Sequence, residues 1–186
     1  EPHLTRFPVA LGIRGIDDSF HLIEASREMS HQFQIWASED GFAGLPSSLS
    51  LTHAHLGHVD GLGLFGKEVM GAKGLVTHCS PSMNSLLRAT PAWADLLEQG
   101  VLAPRSWVAF ESFEPMSQCG FTITPVPVPH RSELSDTHAL LISGPERRLL
   151  FVPDIDSWEN WENEIFKLIK NNKFLMIDGT YFNKNE

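Results

Sequence analysis

Leu51-Thr52-His53-Ala54-His55-Leu56-Gly57-His58-Val59-Asp60-Gly61-Leu62 places three of the chain's nine histidines within six positions. The apolar run Ser48 to Thr52 predicts a strand that feeds directly into this cluster. Alternate side chains of an extended backbone share a face, so His53 and His55 point the same way. A turn at Gly57 would swing His58 toward them. Convergent neutral imidazoles in a water-accessible cleft are what a zinc or iron ion takes as ligands. A lone histidine at a strand end is ordinarily a surface residue; three so close together, flanked by glycine, indicate a ligand cluster.

Outward from the cluster, apolar segments of strand length alternate with segments of helical period, which predicts an α/β layer architecture. Val9–Ile13 and Phe20–Glu24 read as hairpin arms around a turn at Gly15–Ser19. Ser26 to Trp36 reads as a helix that buries Met29, Phe33 and Trp36. Leu62, Phe65 and Val69 share a helical face, and Gly74–His78 is a strand. Ser80-Pro81 and Thr90-Pro91 are N-cap and first-turn proline pairs that open helices, the second ending at Gly100. Trp107–Phe110, Phe121–Val128, Ala139–Ser143 and Leu149–Val152 are strand candidates. Pro125, Pro127 and Pro129 place the end of the second of these at an edge or exit. Asp156 and Glu159 form an approximate capping box for a helix carrying Trp158, Trp161, Ile165 and Leu168. Phe174–Asp178 reads as a buried strand with a carboxylate at its tip.

Three strands thus end on residues competent to bind a metal: His53, Asp154 and Asp178. In layered sheets, sites are commonly assembled from the loops at one end of the strands.

Composition sets the frame. A chain of 186 residues is the size of one domain, spanning 1–186. With 42% hydrophobic and 20% charged residues it can bury a core. No apolar run reaches the ~18 residues of a membrane span. The net charge of -9 argues against phosphate backbones as partners unless basic residues cluster locally, so a small-molecule substrate is expected rather than nucleic acid. Two cysteines without a CxxC rule out a disulfide scaffold and point to a reducing, cytoplasmic setting. Glu1–Phe7 lacks the order of a signal peptide. A homodimer stays open.

The segment His53-Ala54-His55-Leu56-Gly57-His58 resembles the HxHxDH signature of the metallo-β-lactamase superfamily, whose fold is a four-layer αββα sandwich of metal-dependent hydrolases. The wider pattern is similar to the pyrroloquinoline-quinone synthesis protein B-like branch. Leu22–Ser26, Leu51–Met70, Val128–Thr137, Phe151–Asp156 and Ile177–Tyr181 carry that likeness. The resemblance implies a first metal site of His53, His55 and His130. It puts His58 and Asp154 at a second site, with Asp154 joining the two. Asp178 matches an acid after the late strand that would orient an imidazole or assist Asp154 in catalysis.

Two departures bear on the metal. Gly57 stands where the signature has aspartate, and the family's last metal histidine would fall beyond Glu186. The family's first strand is also shortened here, so both ends look truncated. One firmly held Zn2+ is therefore expected, with the second site weakened and Fe2+ or Mn2+ as other occupants. A zinc ion would lower the pKa of its water to ~7 and supply hydroxide to an ester-type substrate: a phosphodiester, thioester or lactone. Asp154 and Asp178 would orient that water or take its proton. Two further readings stand beside this one. Two imidazoles with Asp154 also make the iron set of non-haem oxygenases, consistent with a cofactor-biosynthesis role. A degenerate member that binds a ligand or partner is the third. Arg131, Glu133 and Asp136 are candidates for the substrate cleft, Asp60 for a helix cap, and His3, His21, His31, His78 and His138 for structure.

Overall fold

Alternation along the strands sorts the apolar side chains onto two faces, and this builds the layers. The computed structural model describes residues 7–42, 44–159, 161, 167–170 and 173–179. One sheet has the order β1 (Leu11–Arg14), β2 (Phe20–Ile23), β3 (Ser48–Leu51), β4 (Leu75–Cys79), β5 (Leu102–Ser106). Its first pair is an antiparallel hairpin and the rest run parallel. The second sheet orders β6 (Thr122–Pro127), β7 (His138–Ser143), β8 (Arg148–Val152) and β9 (Phe174–Ile177), with β8 and β9 parallel.

On β2, Leu22 points out to a cluster with Met29, Leu49, Met83 and Leu87, while Ile23 points in. The outward cluster lies under α1 (Met29–Asp40), α3 (Pro81–Ala89) and α4 (Pro91–Glu98). Ile23 joins Ile123, Leu140, Ile142 and Phe151 between the sheets. Ala139, Leu150 and Val152 face the other way, toward Trp158, Trp161 and Leu168. Helix, sheet, sheet and helix are therefore stacked as expected for the αββα sandwich. No helix among the described residues is long and apolar enough to cross a membrane.

Glycine and proline end elements where they should. Gly41 at φ 67° closes α1, and Gly100 at φ 69° follows α4. Ser80 caps α3 by accepting from the amide of Met83. Pro125 and Pro127 lie on β6, which is an edge strand, so their missing donors cost no ladder bond there.

Several elements depart from the sequence reading. The strand expected at Trp107–Phe110 is instead β5, five residues earlier. Buried Val101 and Leu102 pull that segment onto β4, and its edge position tolerates Pro104. Val108 and Phe110 are exposed, with Phe110 at φ 65°. Val69 is also exposed, because the glycine-rich segment after Gly61 forms only a 3-10 turn at Leu62–Phe65, which buries those two residues. Strand β9 is not buried: all four of its residues are 40–50% exposed, since it is the outermost strand of its sheet among the described residues. Asp156 and Glu159 lie in a bend and a turn rather than a capping box, and helical geometry is described at 167–170. Ile165, Thr180 and Tyr181 lie outside the described residues, as does His3.

Candidate metal centre

Four of the strand ends supply the site. Glu24 follows β2, Thr52 and His53 follow β3, His130 follows β6 and Asp154 follows β8. The amide of His138, at the start of β7, donates to the carbonyl of Thr52, so the two sheets are joined at this end. His55 precedes and His58 lies within the single turn α2 (Leu56–Val59). That turn is held against β2 by the amide of Ala25 on the carbonyl of His58 and the amide of Gly61 on that of Ala25. Gly61 is required by this approach, because a Cβ there would sit 2.1 Å from the carbonyl oxygen of Ser26.

His53, His55, His130 and Asp154 turn one ligand atom each to a common point, all within 4.8 Å of one another. His53 Nε2 and His130 Nε2 both lie 3.0 Å from His55 Nδ1. Asp154 Oδ2 is 3.4 Å from each of those Nε2 atoms. His130 is 75 residues from His55 in sequence, and the fold alone brings the two rings together.

The outer nitrogens decide what the inner ones can do. Thr52 Oγ1 gives its one proton to Glu24, so it must accept from His53 Nδ1, 3.0 Å away. His55 Nε2 lies 3.2 Å from the Glu133 carboxylate and donates to it. In their neutral forms His53 and His55 would then turn the unprotonated Nε2 and Nδ1 toward each other, 3.0 Å apart. Asp156 Oδ1 stands 2.7 Å from His130 Nδ1, off the line of a hydrogen bond. Facing lone pairs beside a carboxylate are satisfied by a cation, and the donor set of imidazoles and carboxylate suits zinc or iron. The residues present fit such an ion.

His58 meets this group at Asp154 and forms a second potential ligand group with Glu24 and His53. Its Nε2 lies 3.3 Å from Asp154 Oδ2 and its Nδ1 3.4 Å from Glu24 Oε1. Burial alone would lower its pKa, but the two carboxylates outweigh that and raise it to about 10. Burial pushes His53 below its ordinary value, partly offset by Asp154 and Glu24. Burial would raise the pKa of Asp154, yet its contacts with His53 and His58 hold it well below the usual carboxylate range.

Other sequence-singled residues lie elsewhere. Asp178 accepts from the amide of Ile155, one residue past Asp154, and is outside the group of four. Asp60 pairs with Arg27 at 2.6 Å. Asp136 accepts from Ser80 and Ser82. His21, His78 and His138 are buried away from the centre, and burial lowers the pKa of each. Sequence reasoning missed Glu24, which is fully buried and also within reach of His53 and His58 as a second potential ligand group. Its backbone is left-handed, at φ 68°. The signal was available, since Glu24 is an acid at the tip of an apolar strand, like Asp154 and Asp178.

The sequence matches the family described as Beta-lactamase superfamily domain over residues 25–186, and the chain belongs to that family. Among solved structures, it is similar to Zn2+-bound PqqB from Methylobacterium extorquens, with TM-score 0.75 and 18% identity over 94% of this chain. A diphosphatase from the PhnP family has TM-score 0.66 and 16% identity, also over 94% of this chain. A quorum-quenching N-acyl homoserine lactone lactonase has TM-score 0.57 and 11% identity over 90% of this chain and 77% of its own. The chain spans 61% of the length of the PqqB and diphosphatase chains. No curated protein sequence matches it significantly.

Proposed function

We propose that this chain carries the catalytic centre of a metal-dependent hydrolase acting on an ester-type small molecule. One divalent cation, Zn2+ in this reading, would be held by His53 Nε2, His55 Nδ1, His130 Nε2 and Asp154. The observation that carries the reading is the convergence of those four ligand atoms within 4.8 Å, with His53 Nε2 and His130 Nε2 each 3.0 Å from His55 Nδ1. Three imidazoles beside Asp154 favour hydrolysis over the two-histidine, one-carboxylate set of iron oxygenases. When bound, the ion supplies Lewis acidity and lowers the pKa of water toward ~7.

The chain's own groups do the rest. Asp154, held ionised by its contacts with His53 and His58, would give the cation an anionic oxygen at Oδ2 and is placed to orient water beside it. Asp178, tied to the amide of Ile155, positions the Asp154 backbone and is not itself within the ligand group. His58, between Glu24 and Asp154, lies outside these four and belongs to the second potential group with Glu24 and His53, which would be the weaker site because Gly57 adds no carboxylate there. The diphosphatase and lactonase folds make phosphodiesters and lactones the substrates to assay first, with thioesters third.

The test joins elemental analysis with hydrolysis of bis(p-nitrophenyl) phosphate, a thioester and an acyl lactone. One equivalent of metal and turnover of one class are expected. His55→Ala should lower turnover at least 100-fold and strip the metal while leaving the circular-dichroism spectrum intact. Two tightly held equivalents, or full activity in His55→Ala, would refute the reading.

A further inference from the structure

His130 is delivered by the ten-residue connection between β6 and β7. Its middle, Arg131 to Leu134, is exposed. A connection of that length gains its shape from the points where it is fastened. The amide of Val128 on the carbonyl of Thr137 closes the base, and the amide of Asp156 donates to the carbonyl of Pro129. Two side chains fasten the rest. Asp136 accepts from the hydroxyls of Ser80 and Ser82 at the start of α3, and its own amide donates to Ser82 Oγ at 3.1 Å. Glu133 reaches back over the centre to His55 Nε2 at 3.2 Å.

His55 is the ring that most needs such a hold. At 22% its side chain is more exposed than His53 at 1% or His130 at 5%. It also turns Nδ1 inward, whereas His53 and His130 turn Nε2. The inner nitrogen sits next to the ring's attachment, so the ring's rotation is set by what grips the far nitrogen. A carboxylate accepting that N–H fixes the tautomer and makes the opposite nitrogen a better donor to a cation.

We propose that Glu133 is a positioning residue for the metal centre, and that Asp136, clasped by Ser80 and Ser82, is what holds Glu133 against His55. The inference rests on the reading that His53, His55, His130 and Asp154 hold a cation. Asp136 then has no direct business with the ion: its contribution passes through Glu133.

The metal-free full chain, titrated with Co2+ against a chelator and followed by the ligand-field absorption of the bound ion, tests this. Glu133→Ala should weaken Co2+ binding about ten-fold and alter the absorption band. Glu133→Gln, whose amide oxygen can accept the same N–H, should recover most of the loss. Asp136→Ala should weaken binding in the otherwise unsubstituted chain and have no further effect in Glu133→Ala. Ser82→Ala reads the same coupling should Asp136→Ala fail to fold. Unchanged Co2+ affinity and spectrum in Glu133→Ala, or additive losses in the double variant, would overturn the inference while leaving the metal reading intact. Failure of the unsubstituted chain to bind Co2+ would overturn both.

Discussion

Replacing Glu24 with glutamine in the metal-free protein changes one charge and almost no volume, at a carboxylate that is fully buried. Glu24 Oε1 is 3.4 Å from His58 Nδ1 and Asp154 Oδ2 is 3.3 Å from its Nε2. At an effective dielectric of ~20, each contact is worth roughly 5 kcal/mol to the imidazolium. Burial opposes them, and the balance leaves His58 at about 10 against an ordinary 6.5. That balance also corresponds to roughly 5 kcal/mol, at ~1.4 kcal/mol per pKa unit. Loss of either carboxylate therefore removes as much as the whole gain, and His58 in Glu24→Gln should titrate near or below its ordinary value.

The sign for stability follows from the raised pKa. Protonated His58 stabilises the fold fully below its unfolded value of about 6.5 and ceases to do so as pH rises through about 10. The metal-free unsubstituted chain should thus lose stability between pH 7 and pH 10, and Glu24→Gln should lose much less over that window. Histidine ring NMR from pH 6 to 11, with urea unfolding at pH 7 and pH 10, reads both effects. A His58 resonance in Glu24→Gln that still titrates near 10 would refute the reasoning, as would one near 6.5 in the unsubstituted chain.

Gly61→Ala should destabilise the protein by about 3 kcal/mol or more, because the new Cβ meets backbone at Ser26 rather than a yielding side chain. The same change should loosen the Gly61 to Ala25 hydrogen bond and shift the His58 resonance; an unchanged urea midpoint contradicts it. Asp60→Asn removes a pair with Arg27, whose side chain is 66% exposed, and should cost less than about 1 kcal/mol. Metal content should not change in that variant; its loss would place Asp60 in the centre.

The layers were legible in advance because side-chain periodicity is a local property. Leu22 and Ile23, or Leu150 and Phe151, announce opposite faces by their position in the alternation alone. Ser80-Pro81, Thr90-Pro91 and Gly100 mark helix ends for equally local reasons. β5 is hard to place from sequence because Val108 and Phe110 look more strand-like than Leu102–Ser106 with its Pro104 and Arg105. Pairing with β4 overrode that propensity. Four apolar residues in a row at β9 imply two covered faces, whereas its place at the edge of the sheet among the described residues is set by topology.

Residue type and short-range spacing were enough to single out His53, His55 and His58 as a candidate cluster and to set the strands on either side of them. Which ring nitrogen faces inward, which carboxylate grips the other, and that His58 lies between Glu24 and Asp154 were decided only in three dimensions. Those contacts join residues as far apart as His55 and Glu133, 78 positions along the chain. A local pattern carries no record of such pairs, because they depend on how two sheets close against each other and where the connecting loops are tied.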